Sequence, residues 1–314
     1  MNFPHMFLPE QGLSRNIAVL KRWNRVKPNR ILTFHFDPNL WLSMVFSLGS
    51  RCSLAFYVEK TWDSWVPRTW VKEKLKRFVF SWADVIFCPG DDAVEYVARY
   101  RRSGSFRRLP HVVDVKGLSA ASGLRESGNG LRLLYLGRFV EEKGLVDLMA
   151  AVDLLPLDVG ISLHFAGSGP LLPVLEKWAL RCALPVSIQG FVQHSEIIPV
   201  LAAADVLVFP THGDPYGLVV DEAMASGMPV IASSSAGEIS SRLVSGPAES
   251  RGVIVPPRDP VALAAAIDAL AQDPATVARM KVAAEGYAES YSSIENWVHA
   301  IEEWCESPQP AGRH

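Results

Sequence analysis

Three features of the 314-residue chain predict an α/β protein built on parallel sheets with helices on both faces. Short apolar runs alternate with stretches of helical length, most regularly after residue 130, and many of the runs end in glycine or proline. Runs of that kind lack the alternation of a sheet with one wet face, and their repetition with helices is the pattern of βαβ units. The third feature is KGLSAASGLRESGNG at 116–130, polar, glycine-rich and aperiodic, which predicts a linker. At roughly 100–200 residues per domain the length suits two domains, expected here at 1–125 and 126–290, with a C-terminal helix and tail at 291–314.

The elements follow in order. The first 30 residues begin irregularly and then turn helical around Ile17, Val19, Leu20 and Trp23. ILTFHF at 31–36 reads as a strand ended by Asp37-Pro38, and Leu40–Leu48 as a buried helix too short to cross a bilayer. SLAFYVE at 53–59 is a second strand. After it, Trp62, Trp65, Trp70 and Trp82 surround Lys72, Lys74, Lys76 and Arg77, either a core-facing stripe with a solvated basic back or an amphipathic surface for an anionic membrane. ADVIFC at 83–88 is a strand, Asp91 or Asp92 suits the start of a helix to Tyr100, RRSGSFRRLP reads as a loop and HVVDV at 111–115 as a strand.

Beyond the linker, strands are expected at 131–137, 161–167, 186–190, 205–210, 229–233 and 252–257. Helices are expected at 145–155, 171–182, 195–203 and 218–226, from Pro260 to Leu270, and at about 274–288 and 293–305.

Composition narrows the function. Hydrophobic residues at 49% and charged residues at 20% exclude a disordered or collagen-like chain. Cys52, Cys88, Cys182 and Cys305 form no CxxC pair or His/Cys cluster, which argues for thiols in a reducing compartment and against structural zinc. There is no signal-peptide pattern and no apolar run of about 18 residues, so a cytoplasmic protein is expected. Residues 1–115 hold 18 Lys and Arg against 10 Asp and Glu, and residues 116–314 hold 13 against 23. A basic first half suits an anionic partner such as a phospholipid surface or a phosphorylated substrate. Nucleic acid is not expected, because no zinc finger, RNP-like aromatic pattern or KH-type loop accompanies the charge.

Ligands of open parallel sheets collect beyond the carboxyl ends of the strands. LYLGRFVEEKG sets Gly137, Arg138 and Lys143 there, beside a helix start. That arrangement is either a clamp for a diphosphate or a pair of surface charges. HFAGSGP puts Gly167 in a tight turn that lets a ligand approach the backbone, without the GxGxxG or P-loop pattern. In FPTHGDPYGLVVDEAMASG, Asp214 precedes a turn, Gly217 opens a helix and Glu222 follows five residues on. Amides near Gly217, Leu218 and Val219 could hold phosphate, while both carboxylates could accept hydroxyl hydrogen bonds. His212 is a candidate for a substrate hydrogen bond, and His35 is more often structural at such a position. Hydrolase signatures G-x-S-x-G and HExxH are absent, as is an Asp-x-Asp metal pair.

LGRFVEEKGLVDLMAAV at 136–152, HFAGSGP at 164–170, the run GFVQHSEIIPVL through SAGE at 190–238 and GVIVPPRDPVALAAAI at 252–267 together resemble the retaining glycosyltransferases of family 4. The resemblance implies a GT-B fold of two facing Rossmann-like domains. It covers most of 131–270 and is thinner before that, resting on TFHF, ADVIFCPG and LPHVVD. It implies that Arg138 and Lys143 bind the donor diphosphate and that Glu222 holds the ribose. Asp214, in place of the usual glutamate, would contact the donor sugar. Backbone groups of Gly217, Leu218 and Val219 would meet diphosphate or sugar oxygens, those of Gly190, Phe191 and Val192 would meet the base, and Gly137 and Gly167 are also expected at the donor site. It further implies a UDP- or GDP-sugar donor, no cofactor and no metal.

The chain departs from the family at its start, which lacks the usual opening strand and glycine-rich loop, so either a truncated start or a shortened N-terminal acceptor domain is expected. It also has Glu59 near the position of a histidine expected against the donor sugar. The activity implied is transfer, with retention, onto a polysaccharide, lipid-linked oligosaccharide or glycolipid precursor, in a protein peripheral to the inner face of the membrane. Alternatives are a nucleotide-sugar hydrolase or epimerase and a non-catalytic donor-binding subunit.

Overall fold

A computed structural model of the chain describes residues 13–34, 38–50, 52–59, 70–101, 105–125, 130–244, 250–291 and 294–308. The expectations at His35, Trp62 and Trp65 lie outside the described residues. The first unit contains α1 (Leu13–Val26), β1 (Arg30–Phe34), α2 (Pro38–Gly49), β2 (Ser53–Tyr57), α3 (Trp70–Trp82), β3 (Val85–Cys88), α4 (Asp91–Ala98) and β4 (Ser105–Arg108). Its four strands form a parallel sheet in the order β1-β2-β3-β4, with Ile31 opposite Leu54 and Ile86 opposite Phe106. Connections that step steadily across a parallel sheet with right-handed crossovers leave their helices on one face. Accordingly, Leu40 and Met44 of α2, Val79 and Phe80 of α3, and Ala93 and Val97 of α4 share one core with Leu54 and Ile86.

Two short helices, α5 (Val115–Leu118) and α6 (Ala120–Leu124), lead into the second unit. It runs β5 (Leu131–Leu136), α7 (Leu145–Val152), β6 (Ile161–Ala166), α8 (Leu172–Ala179), β7 (Val186–Gln189), α9 (Ile197–Ala202), β8 (Val206–Phe209), α10 (Leu218–Ala225), β9 (Val230–Ser233), α11 (Ile239–Leu243), β10 (Gly252–Val255), α12 (Pro260–Gln272) and α13 (Pro274–Tyr291). The six parallel strands order as β10-β9-β8-β5-β6-β7. Adjacent strand residues serve opposite cores: Leu133 packs with Phe165 and Trp178 on one face, and Leu134 with Leu207 and Met224 on the other. The chain turns back between β5 and β8, which makes the carboxyl ends of those two strands the topological switch point, where an open sheet leaves a crevice.

The last helix, α14 (Ile294–Glu306), returns to the first unit. Trp304 is buried with Ala55, Tyr57, Val85, Phe87 and Leu109 on the sheet face opposite α2–α4, its ring edge-on to Phe87 at 5.7 Å. Arg30 lies over the Trp304 ring and donates to the Ser307 carbonyl.

Three expectations need correction. The strand of this region is SFRR at 105–108, not HVVDV at 111–115. As an edge strand it needs no apolar alternation, and its cations are taken by Glu303 and Asp91. The stretch 116–130 is not all aperiodic: α5 and α6 bury Leu118 and Ala121 against α9 and α10. Helix α4 is capped neither by Asp91 nor by Asp92. Gly90 is its N-cap residue, and the amides of Asp92 and Ala93 donate to the Glu238 carboxylate of the second unit at 3.0 and 2.8 Å. Asp91 is held by Arg108, and Asp92 accepts the Glu238 amide instead. Among the described residues no single helix is long and apolar enough to cross a membrane.

Candidate functional site

Two loops meet at the crevice between β5 and β8. The first follows β5 through Gly137 and Arg138 into a 3-10 turn at Glu141–Lys143, then reverses at Gly144 into α7. Gly144 has φ +67°, and a Cβ there would lie 1.9 Å from the Pro210 carbonyl oxygen, so no side chain fits. That close approach joins the turn to the loop after β8. Thr211 Oγ1 and the His212 amide both donate to the Glu142 carbonyl, at 3.0 and 2.8 Å.

The second loop runs from Pro210 to Gly217 and opens α10. Gly217 has φ +76°, and its Cα faces the Phe209 ring so closely that a Cβ would come within 2.7 Å. Helix α10 therefore starts beside the strand end. The amides of Leu218 and Val219 precede its first internal bond, from Val220 N–H to the Gly217 carbonyl, and the helix dipole adds partial positive charge at that end.

Two of the expected side chains meet here. Lys143 Nζ makes an ion pair with the Asp214 carboxylate, both nearly buried, and lies over the Phe209 ring. Asp214 is fixed further: its Oδ1 accepts the Tyr216 amide at 3.0 Å, and its carbonyl accepts the Gly237 amide at 2.8 Å. Arg138 extends into solvent, 3.6 Å from Glu142 across the turn. Glu222, one turn into α10, is largely buried, and burial pushes its carboxyl above the ordinary range although His194 lies 3.8 Å from it.

The glycine turns interlock behind these groups. The Gly137 amide donates to the Ala166 carbonyl at 3.0 Å, the Gly167 amide to the Gly190 carbonyl at 3.1 Å, and fully buried Phe139 plugs the space between. Gly190, Phe191 and Val192 follow β7 at the carboxyl edge of the same sheet, and Phe191 is 68% exposed. His212, in contrast, is turned away: its Nε2 is 2.5 Å from Asp147 on α7, so it ties the two loops together.

The sequence reading missed the base of the loop. Arg242 of α11 is fully buried and pairs with fully buried Asp221, its Nη2 2.9 Å from Oδ1. The same guanidinium donates to the Tyr216 carbonyl at 2.5 Å and the Gly217 carbonyl at 3.1 Å, and it lies 4.1 Å from the Tyr216 ring center. It thus grips the two carbonyls whose peptides aim the head of α10. Only Asp221, a charge within the apolar run LVVDEAMA, hinted at it.

The first unit supplies the opposite wall. His111, in the crossing segment, packs against Tyr216 with ring centers 4.3 Å apart and planes tilted by 53°, and is 3.5 Å from Glu59. Behind the pair, Phe34, Tyr57, Ile294 and Trp297 help line a cavity of about 330 Å³. Glu238, left-handed at φ +59°, completes the bridge with its carboxylate on α4. Burial raises its pKa, offset in part by the amides of Ala93 and Asp92.

The arrangement can hold a diphosphate between an amide-rich helix start and two cations, with carboxylates placed for hydroxyls and an aromatic cavity across the gap. Comparison with known proteins agrees with the fold. The structure of HepE from Anabaena in complex with UDP superposes with a TM-score of 0.76 at 18% identity, covering 93% of this chain and 82% of that one. Sucrose-phosphate synthase from Thermosynechococcus elongatus superposes equally well, with a TM-score of 0.76 at 23% identity over 96% and 80% of the two chains. The two parallel sheets, each flanked by helices, form a GT-B fold of two Rossmann-like domains.

In sequence, glycogen synthase of Mycobacterium tuberculosis is 35% identical over 159 residues, 48% of this chain and 36% of the relative. Sulfoquinovosyl transferase SQD2 of Arabidopsis thaliana is 37% identical over 105 residues, 33% and 20% of the two chains. The chain thus aligns with about a third or less of these curated relatives. The model of the glycosyl transferases group 1 matches residues 122–287, over half of the chain and all of the crevice loops. With a match over more than half of its length, the chain belongs to the glycosyl transferases group 1.

Proposed function

We propose that the protein is a retaining family 4 glycosyltransferase that moves a sugar from a UDP- or GDP-sugar to a glycan, lipid-linked oligosaccharide or glycolipid precursor. One observation carries the reading: the Lys143–Asp214 ion pair lies in the two loops that meet before α10, the helix that carries Glu222 one turn in. A nucleotide diphosphate drawn to the amides of Leu218 and Val219 competes with Asp214 for Lys143. Once released, the Asp214 carboxylate accepts hydrogen bonds from the donor sugar while Glu222 accepts them from the ribose. Exposed Phe191 offers a face for the base.

As the bond from the sugar to the diphosphate breaks, negative charge grows on the leaving phosphate, next to the helix dipole and Lys143, with Arg138 drawn in from solvent when the donor binds. Groups set before the charge develops cost no reorganisation at that moment, which is where such cations accelerate most. The acceptor hydroxyl approaches from the Glu59–His111 wall, and the departing phosphate helps take its proton. In this reading the donor half is 126–290, the acceptor half is 1–125, and 291–314 returns to the acceptor half. Likeness to glycogen synthase supports a cytoplasmic protein, and the basic first half supports a peripheral contact with anionic lipid.

The test is thermal stabilisation by a panel of UDP- and GDP-sugars, followed by turnover with acceptor extracts. A ligand that binds only the folded state at about 100 times its Kd adds about 2.7 kcal/mol. A shift lost in Lys143→Ala supports the donor site. Donor consumption without any acceptor would instead indicate a hydrolase or epimerase, and binding without turnover a non-catalytic subunit.

A further inference from the structure

Helices α2 and α3 cover the same face of the first sheet, and each buries one stripe as a two-layer unit requires. Each also carries a second apolar stripe on the side away from the core. On α2, Trp41, Val45 and Leu48 are 40%, 64% and 65% exposed, and on α3, Val71, Leu75 and Phe78 are 55%, 42% and 48% exposed. The spacing in both is i, i+4, i+7, so each trio lies along one line of its helix. The two helices touch at their carboxyl ends, where Trp82 Nε1 donates to Ser47 Oγ at 3.1 Å. The stripes therefore lie side by side. Trp70, 71% exposed, stands at the amino end of α3 beside the stripe, with Lys74 Nζ 4.9 Å from its ring center.

The charge around the stripes is one-sided. By sequence α1, α2 and α3 hold eight Lys and Arg against Glu73 alone, and Lys21, Arg22, Arg25, Lys74 and Arg77 among them are exposed. Glu73 is already occupied, by Lys76 at 3.0 Å and by the Tyr100 hydroxyl at 2.5 Å. Helix α1 joins the same layer through Trp23, which packs on Phe46 of α2 at 5.4 Å. Protruding apolar side chains between cations match a bilayer interface, where hydrocarbon receives the apolar side chains and anionic headgroups receive the charge.

We infer that this face, the outer stripes of α2 and α3 with the cations beside them, docks the protein onto an anionic lipid bilayer. The inference rests on the peripheral-contact reading above and names the surface that makes it. Helices α2 and α3 follow β1 and β2, so their amino ends lie at the carboxyl edge of the first sheet, where Phe34, Tyr57 and Glu59 line the cleft cavity. Docking along the stripes thus brings the mouth of the cleft down to the headgroups. An acceptor carried in the membrane would then reach His111 and Glu59 without leaving its leaflet. A flat lipid surface also needs no matching socket, unlike a protein partner, and accepts two parallel rows of single side chains.

The experiment is flotation of the whole protein with vesicles of phosphatidylcholine alone and with 30% phosphatidylglycerol, about the anionic share that gives a strongly negative surface. Wild type is expected to float with the anionic vesicles only, and to release as salt rises. Leu75→Glu with Phe78→Glu is expected to lower the bound fraction at least tenfold, and Lys74→Glu with Arg77→Glu also about tenfold or more. Both pairs should keep the wild-type melting temperature and its shift with donor. Absence of binding to anionic vesicles, or full binding by Leu75→Glu/Phe78→Glu, overturns the inference. So does a dimer in light scattering that this pair dissolves while the wild type ignores vesicles, which would assign the face to a second copy. Vesicle binding without any donor shift would leave the docking face standing and remove the glycosyltransferase reading instead.

Discussion

Replacing Arg242 with methionine tests how the donor-side loop is held. The substitution keeps bulk and removes the guanidinium from a site where it is 1% exposed and its partner Asp221 fully buried. Breaking one side of a buried ion pair costs about 3–5 kcal/mol, because the remaining carboxylate is left in a poor solvent. The Tyr216 and Gly217 carbonyls lose a donor as well, at about 1 kcal/mol each if they stay dry, so a loss of about 4–5 kcal/mol is expected after partial relaxation. That approaches the whole stability of many domains, about 5–15 kcal/mol. Urea unfolding of wild type, Arg242→Met and Arg242→Met/Asp221→Leu supplies the comparison. The double variant should regain most of the loss, since no charge is stranded, and yet bind UDP at least tenfold more weakly than wild type because the loop carbonyls remain ungripped. A single variant within about 1 kcal/mol of wild type, or a double variant no better than the single, would refute the argument that this pair supports the loop.

Three further outcomes can be checked directly. Gly144→Ala should lose about 3 kcal/mol in urea unfolding, from left-handed strain and the clash with the Pro210 carbonyl; a change below 0.5 kcal/mol, about the scatter of neutral substitutions, would mean the turn can relax. Burial alone would raise Asp205, but Arg132 at 2.8 Å and Lys281 at 2.9 Å hold it down at about 2. Its contribution is therefore complete above the ordinary carboxylate value near 4 and should fade as pH drops toward 2, by about 1–2 kcal/mol after screening, and Asp205→Asn should flatten that part of the profile. Glu222 is raised by burial, so UDP affinity measured by calorimetry should begin to fall at a pH above the ordinary glutamate value, as the carboxylate protonates and stops accepting both ribose hydroxyls. In Glu222→Gln that pH dependence should vanish, and its persistence would place the titrating group elsewhere.

Much of the second unit could be read directly because its local signals agree. LRLLYLG, ISLHFAG and DVLVFP are each apolar and close at a glycine or proline, and the structure places strands at 131–136, 161–166 and 206–209. The meeting of Lys143 with Asp214 follows from their positions on loops after β5 and β8. The first unit was less legible. SFRR is a strand only because β3 offers it an edge, a long-range pairing that leaves no apolar trace in the segment itself. The α4 cap was misread for a similar reason: Asp91 and Asp92 have the right chemistry, but Glu238, some 146 residues away, occupies the amides. Arg242 lay hidden because a buried cation looks like a surface one until its partner and its burial are known.

The return of α14 has a cost that belongs to synthesis rather than to the finished molecule. The sheet face formed by Ala55, Tyr57, Val85, Phe87 and Leu109 is closed by Trp304, near the far end of the chain. About 195 residues separate Leu109 from Trp304, so at about 5–20 residues per second the ribosome leaves that face open for about 10–40 s. Throughout that interval the first half is a sheet with one bare apolar side, a species prone to sticking and a natural client for chaperones. Deleting α14 should therefore reduce soluble yield far more than its own size suggests, and a chain stalled before residue 294 should be held by holdases even with the donor half folded.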